Sequence, residues 1–306
     1  MNVLRRFATL LMLAMLPLAL GCGKKQPTGP SFSDSYRATM QISNPDERAR
    51  KLVQLALQQD AGKDTLGAKQ SLKDATKAAA EVPDAFARAG VFTRLAAAQA
   101  GLGERLDANA SLASARQAID EIADVESRAV ALCDVAKTQG TALKNEADAA
   151  DTLFDVAKLT EEIDDPVGKT TVLAQAAQTH NELGNSAGAV KALQQALELA
   201  QQVADPSQRR SAICEVASAQ TGMNQSSEAA QSLAAAATAA RSIEADFGKA
   251  FALAEIAELL SKAGQHAEAH KLLEEADQVA HAIKDAALQQ QANDKIRTLM
   301  GSLPKG

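Results

Sequence analysis

Tryptophan is absent from this 306-residue chain, tyrosine occurs once, and aromatics together make up 3% of the residues. A core made from such a sequence cannot rest on large rings and must be filled mainly by alanine and leucine, which the 46% hydrophobic content allows. Histidine occurs four times and cysteine three times, so material for metal or redox sites is thin. There is no glycine-rich phosphate loop, nucleophile elbow, zinc-hydrolase motif or catalytic-triad pattern. Carboxylates are plentiful, but they fall among lysines and glutamines in helical patterns, and the expectation is a protein that is not an enzyme and carries no cofactor. A surplus of positive charge is missing too. The formal net charge is −6, and a nucleic-acid partner is not expected, because phosphate binding needs a positive field.

What is present is a period. Ile42, Val82, Ile122, Ile163, Val203, Ile243 and Ile283 recur at steps of 40, 40, 41, 40, 40 and 40 residues. A repeat of this length predicts a stack of helical hairpins. Each unit encodes two helices. The first begins at Asn44-Pro45, Asp84, Asp124, Asp165-Pro166 or Asp205-Pro206, with a capping side chain and in three units a proline at the first helical position. An apolar stripe follows at helical spacing, Leu52, Phe92, Leu132, Leu173, Ile213 and Leu253, and four residues on stands an alanine in all six units, from Ala56 to Ala257. A turn marked by Gly62, Gly103, Gly140, Gly184, Gly222 or Gly264 leads to the second helix. There Ala68, Ala108, Ala149, Ala189, Ala229 and Ala269 precede by four a leucine in every unit, Leu72 to Leu273. The one extra residue of the third unit falls near Thr141. Ile283 to Met300 is a lone first helix made polar by Gln289, Gln290 and Gln291, as the end of a finite array requires.

The run Gly264-x4-Ala269-x3-Leu273-x2-Ala276 resembles the second helix of the tetratricopeptide repeat (TPR), and Gly103 and Gly184 open the same spacing. The first-helix alanines stand where that family has its small residue. Two departures are clear. The period exceeds the family's, implying longer helices or loops, and its first-helix aromatic is replaced by Gln59, Gln99, Gln139, His180, Gln220 and Leu260. The resemblance covers residues 42–282 and implies an all-α, right-handed α-solenoid of six TPR-like hairpins. Residues 42–306 form this domain, with units starting near 42, 82, 122, 163, 203 and 243 and a capping helix over 283–300.

The N-terminus reads as an address. Arg5 and Arg6 precede an apolar run from Ala8 to Leu20, too short to span a bilayer comfortably. It ends in Leu18-Ala19-Leu20-Gly21-Cys22, which resembles a bacterial lipobox, although Ala19 stands where leucine is commonest. The resemblance implies a lipoprotein: residues 1–21 a cleaved signal peptide, fatty acyl chains of the palmitate type on Cys22, and residues 22–41 a flexible tether to a membrane. Loss of Arg5 and Arg6 takes 32 basic residues to 30 against 38 acidic, and the net charge to −8. Gly23, where an aspartate would retain some bacterial lipoproteins at the inner membrane, favours the periplasmic face of the outer membrane in a diderm host.

Three sets of residues are candidates for contact with a partner or for ligand chemistry. A basic ladder, Arg48, Arg88, Arg128, Lys169, Arg209 and Lys249, recurs six residues into each unit, four after most of the capping aspartates. It reads either as ion pairs closing neighbouring helix starts or as a basic line for an acidic partner. By TPR geometry an inner groove is lined by Val53, Thr93, Cys133, Ala174, Cys214 and Ala254, with a second row including Leu57, Lys137, Gln178, Ser218 and Glu258. Neither row resembles the lysine–asparagine clamp by which some family members hold a C-terminal carboxylate. Cys133 and Cys214 lie two units apart, too far for a disulfide. His266 and His270 share one helix face with no third metal ligand in sight. The sequence points to a non-catalytic scaffold of the bacterial cell envelope that binds a protein or peptide. The alternatives are a receptor for a small ligand or metal and a plain spacer.

Overall fold

The computed structural model describes residues 31–304; the segment 1–21 read as a signal peptide, Cys22 and residues 23–30 lie outside them. Fourteen α-helices occupy the described residues, with no strand among them. The six first helices are α2 (Pro45–Ala61), α4 (Ala85–Gly101), α6 (Val125–Thr141), α8 (Pro166–Glu182), α10 (Pro206–Gly222) and α12 (Asp246–Lys262). The second helices are α3 (Thr65–Ala80), α5 (Arg105–Asp120), α7 (Glu146–Glu161), α9 (Ser186–Gln202), α11 (Ser226–Arg241) and α13 (His266–His281). Each pairs with the one before it as an antiparallel hairpin, and the hairpins stack into a TPR-like α-solenoid. Every first helix has 17 residues and every second helix 16 or 17, so the long period is spent on helix length. First helices pack on the first helices of neighbouring units, and each second helix packs on the next first helix.

The caps act as their spacing predicts. Asp84 and Asp165 accept from the amides of Ala87 and Gly168 at 2.7 and 2.8 Å, satisfying N–H groups that the first turn leaves unpaired. The loop inside each hairpin is three residues long, except at 142–145, which absorbs the extra residue of the third unit. In every one of these loops the residue two before the second helix has a positive φ. It is glycine at 103, 184 and 264 and Lys63, Lys144 and Asn224 elsewhere. The turn glycines expected at 62, 140 and 222 are displaced from that position: Gly62 closes α2 at φ −80°, and Gly140 and Gly222 lie inside helices. Only the backbone of the loop shows which residue takes the left-handed conformation.

The array is finished at both ends by polar substitution. Val91, Ala131, Val172, Ala212, Ala252 and Ala292 are buried where a first helix meets the preceding unit, and the first unit has exposed Lys51 in that place. At the far end α14 (Ala286–Ser302) keeps Ala292 and Ile296 buried against α13. Where a hairpin partner would pack it replaces the leucine and alanine rows by Asn293 and Arg297.

The segment read as tether is shorter than 22–41, because α1 (Phe32–Met40) lies inside it. Phe32 falls one period before Leu72, so α1 is a truncated second helix laid over the first unit. Tyr36 Oη donates to Asp74 Oδ2 at 2.7 Å, and Gln70 and Lys77 donate to the same carboxylate. Burial alone would raise Asp74, but the bonds from Lys77, Tyr36 and Gln70 outweigh it and hold the carboxyl below its ordinary value.

Candidate functional site

The glutamines that replace the TPR aromatic are structural. Gln59, Gln99, Gln139 and Gln220 are all buried. Ser71 and Ser111 donate to Gln59 Oε1 and Gln99 Oε1 at 2.7 Å, and Thr152 donates to Gln139 Oε1 at 2.8 Å. Each bond latches the last turns of a first helix to the second turn of its partner, 12 or 13 residues on. The pattern was visible as a coupled choice at two positions. His180 in the fourth unit faces Ala192, and Leu260 in the sixth faces Leu272, so both members are lost together. In the fifth unit Gln220 Oε1 and Ser232 Oγ are buried without a partner.

The ladder pairs differently from expectation. The aspartates four residues upstream cap backbone amides and leave the arginines free. Arg48 and Arg88 donate to the carbonyls of Ile42 and Val82 at 2.8 Å and pair with Glu81 and Glu121 at the end of the same hairpin's second helix. Arg128 lies 4.0 Å from Glu162 in the same way. Arg209 donates to the carbonyls of Val203 and Ala204, and Lys249 alone keeps an aspartate, Asp246 at 3.9 Å. Lys169 makes no side-chain bond among the described residues. These clasps hold the start of one helix to the end of its partner within a unit, which charge spacing alone could not reveal.

The first groove row is buried rather than exposed. Cys133 and Ala254 are fully covered, and Val53, Thr93, Ala174 and Cys214 nearly so. The reason is the direct packing of neighbouring first helices, whose side chains at this position face one another. Burial pushes the thiols of Cys133 and Cys214 up to about 12 and about 11, which disfavours the thiolate, and the two form no disulfide. The second row does reach solvent: Leu57, Lys137 and Ser218 are exposed, and Gln178 and Glu258 are half-buried. Ion pairs cross between units on this face. Lys137 reaches Glu182 at 2.8 Å, and Glu255 joins Arg210 at 2.9 Å to Lys295 at 3.1 Å. Arg210 occupies a position that is alanine or threonine in the other units. His266 Nδ1 lies 3.2 Å from Ser261 Oγ and His270 Nε2 2.9 Å from the Pro304 carbonyl, and no group of three metal-ligating side chains gathers among the described residues.

Two clefts that sequence reasoning did not foresee open where second helices reach solvent, one between α3 and α5 and one between α7 and the α8–α9 turn. The α3–α5 cleft encloses about 750 Å³ and is lined by Lys69, Lys73 and Lys77 opposite Glu104 and Asp107. Lys69 and Glu104 pair across it. The cleft between α7 and the α8–α9 turn encloses about 440 Å³ and is more apolar, with Ala150, Leu153, Phe154 and Leu183 beside Glu146, His180 and Asn185.

No protein-family model matches the chain, and no curated protein matches it. Solved structures similar to it include Ton1535 from Thermococcus onnurineus NA1, at 13% identity and a TM-score of 0.42, covering 87% of this chain and 95% of that one. A STAND signal-transduction ATPase with a tetratricopeptide repeat sensor, from Pyrococcus horikoshii, aligns at 17% identity and a TM-score of 0.34, over 88% of this chain and 41% of its own length. BtubC from P. vanneervenii aligns at 13% identity and a TM-score of 0.38, over 91% and 95%. Likeness at this level concerns helical architecture and says nothing of activity.

Proposed function

We propose that this protein is a non-catalytic scaffold of the bacterial cell envelope, anchored by lipid on Cys22, that binds a protein or peptide along its solenoid. The observation carrying the reading is a regular stack of hairpins that presents a long solvent-facing surface with clefts along it, suited to many modest contacts with one extended partner. The lipobox-like Leu18–Cys22 supports the anchor, and lipid chains on that cysteine would hold the solenoid at the periplasmic face of a membrane. A receptor for a small ligand is the second reading, supported by the α3–α5 cleft, whose volume falls in the range of ligand pockets.

Crosslinked capture from native membranes, comparing wild type with Cys22→Ser, tests the scaffold. A stoichiometric partner in the membrane fraction, lost with Cys22→Ser, supports it. An empty capture from folded bait, with thermal stabilisation by a metabolite, moves the assignment to the receptor.

A further inference from the structure

In a repeat protein the units serve as controls for one another, and departures from the repeat that converge on one place mark it. Four converge on the cleft between α7 and the α8–α9 turn. His180 stands where three units have a latched glutamine, and its partner position is Ala192, so the polar latch is absent. Gly140, at a position that is otherwise never glycine, makes room for Leu183, since a methyl group there would collide with Leu183 Cδ2. The loop at 142–145 is the only four-residue one within a hairpin. Phe154 replaces Lys73, Ala113, Gln194, Ala234 and Glu274 of the other units and is 63% exposed. Asn185 Nδ2 lies 3.1 Å from His180 Nδ1, which turns the ring's other nitrogen, Nε2, into its donor.

The phenylalanine stands at the mouth of an apolar cavity with most of its surface uncovered. Lys158 covers one face of its ring at 4.3 Å, so the aromatic is fixed in place by its neighbour. At the other end of the cleft Glu146 pairs with no cation among the described residues. The cavity of about 440 Å³ has room for one large side chain with its backbone.

We propose that the cleft between α7 and the α8–α9 turn is the anchor site of this solenoid, taking one bulky apolar side chain of a partner peptide, aromatic or leucine-like, beside a basic residue that meets Glu146. This rests on the scaffold reading and names the chemistry of its partner.

The chain has no tryptophan, so a peptide carrying one reports its own burial. The probe is Ac-Ala-Trp-Arg-Ala-NH2, titrated with the full chain. The expected result is a saturable blue shift of its emission, about fivefold weaker in affinity when glutamate replaces the arginine. Phe154→Ala abolishes the shift with helicity unchanged, and Glu146→Lys reverses the preference between the two peptides. Ala150→Phe, which fills the cavity from an exposed position, blocks binding independently. Leu66→Ala, at another exposed apolar residue on α3, leaves it as in wild type. The proposal is overturned by the absence of saturable binding to wild type, or by binding that survives both Phe154→Ala and Ala150→Phe. If a captured membrane partner is retained by both variants, the anchor site is wrong and the scaffold reading stands.

Discussion

Replacing Ser111 by alanine isolates the buried latch. Ser111 and Gln99 are 3% and 4% exposed, at the floor of the α3–α5 cleft, and the serine hydroxyl is the partner of Gln99 Oε1. The variant strands Gln99 Oε1 in the interior, which costs about 1–3 kcal/mol. For a chain of this size each kcal/mol moves the melting temperature by roughly 2 °C, and the expected fall is about 2–6 °C. The fifth unit supplies the control. Gln220 Oε1 and Ser232 Oγ are both unbonded in the same positions, so Ser232→Ala removes no bond and changes the melting temperature little. The double change Gln99→Leu with Ser111→Leu copies the Leu260 and Leu272 pair of the sixth unit and retains most of the wild-type stability. Circular dichroism melts of the four proteins, with hydrogen exchange of the α4 and α5 amides to localise the effect, decide the matter. Equal losses for Ser111→Ala and Ser232→Ala would refute the reasoning, because the cost would then come from the serine and not from its bond.

Two further expectations concern backbone space and titration. Gly90, inside α4, has open space where a side chain would begin, whereas Gly140 is filled by Leu183; Gly90→Ala should raise the urea midpoint by about 1 kcal/mol of stability and Gly140→Ala lower it by about 1–3 kcal/mol, and shifts of the same sign would contradict the packing. Burial holds His180 below the 6.5 of a free imidazole, so the unfolded chain takes up the proton first. Stability is then full above about pH 6.5 and falls as the pH drops below it. Wild type should therefore lose more melting temperature between pH 7 and 5 than His180→Gln, and parallel curves would exclude this role for the histidine.

The sequence alone determined most of what depends on residues a few positions apart, though not which loop residue takes the left-handed conformation at 63, 144 and 224. The period, the two helices per unit, the caps at Asn44, Asp84, Asp124, Asp165 and Asp205 and the polar closing helix all follow from local spacing, because capping and helical periodicity involve residues a few positions apart. The likeness to TPR hairpins gave the stack its form. What touches across elements was decided only by the tertiary structure. Charge spacing read Arg88 as a rung of a ladder closing neighbouring helix starts or as part of a basic line, whereas the fold ties it to Glu121, brought alongside by the antiparallel hairpin of its own unit. Groove positions carried over from the family's repeat turned inward, since these neighbouring first helices pack directly and bury Cys133 and Ala254. The first helix α1 lay unseen inside a segment whose prolines and serines read as tether, because its reason to fold is Tyr36 meeting Asp74, 38 residues away. The cleft between α7 and the α8–α9 turn was present in the sequence only as scattered exceptions, Gly140, Phe154, His180 and Ala192. Stacking third and fourth units side by side is what makes them one place.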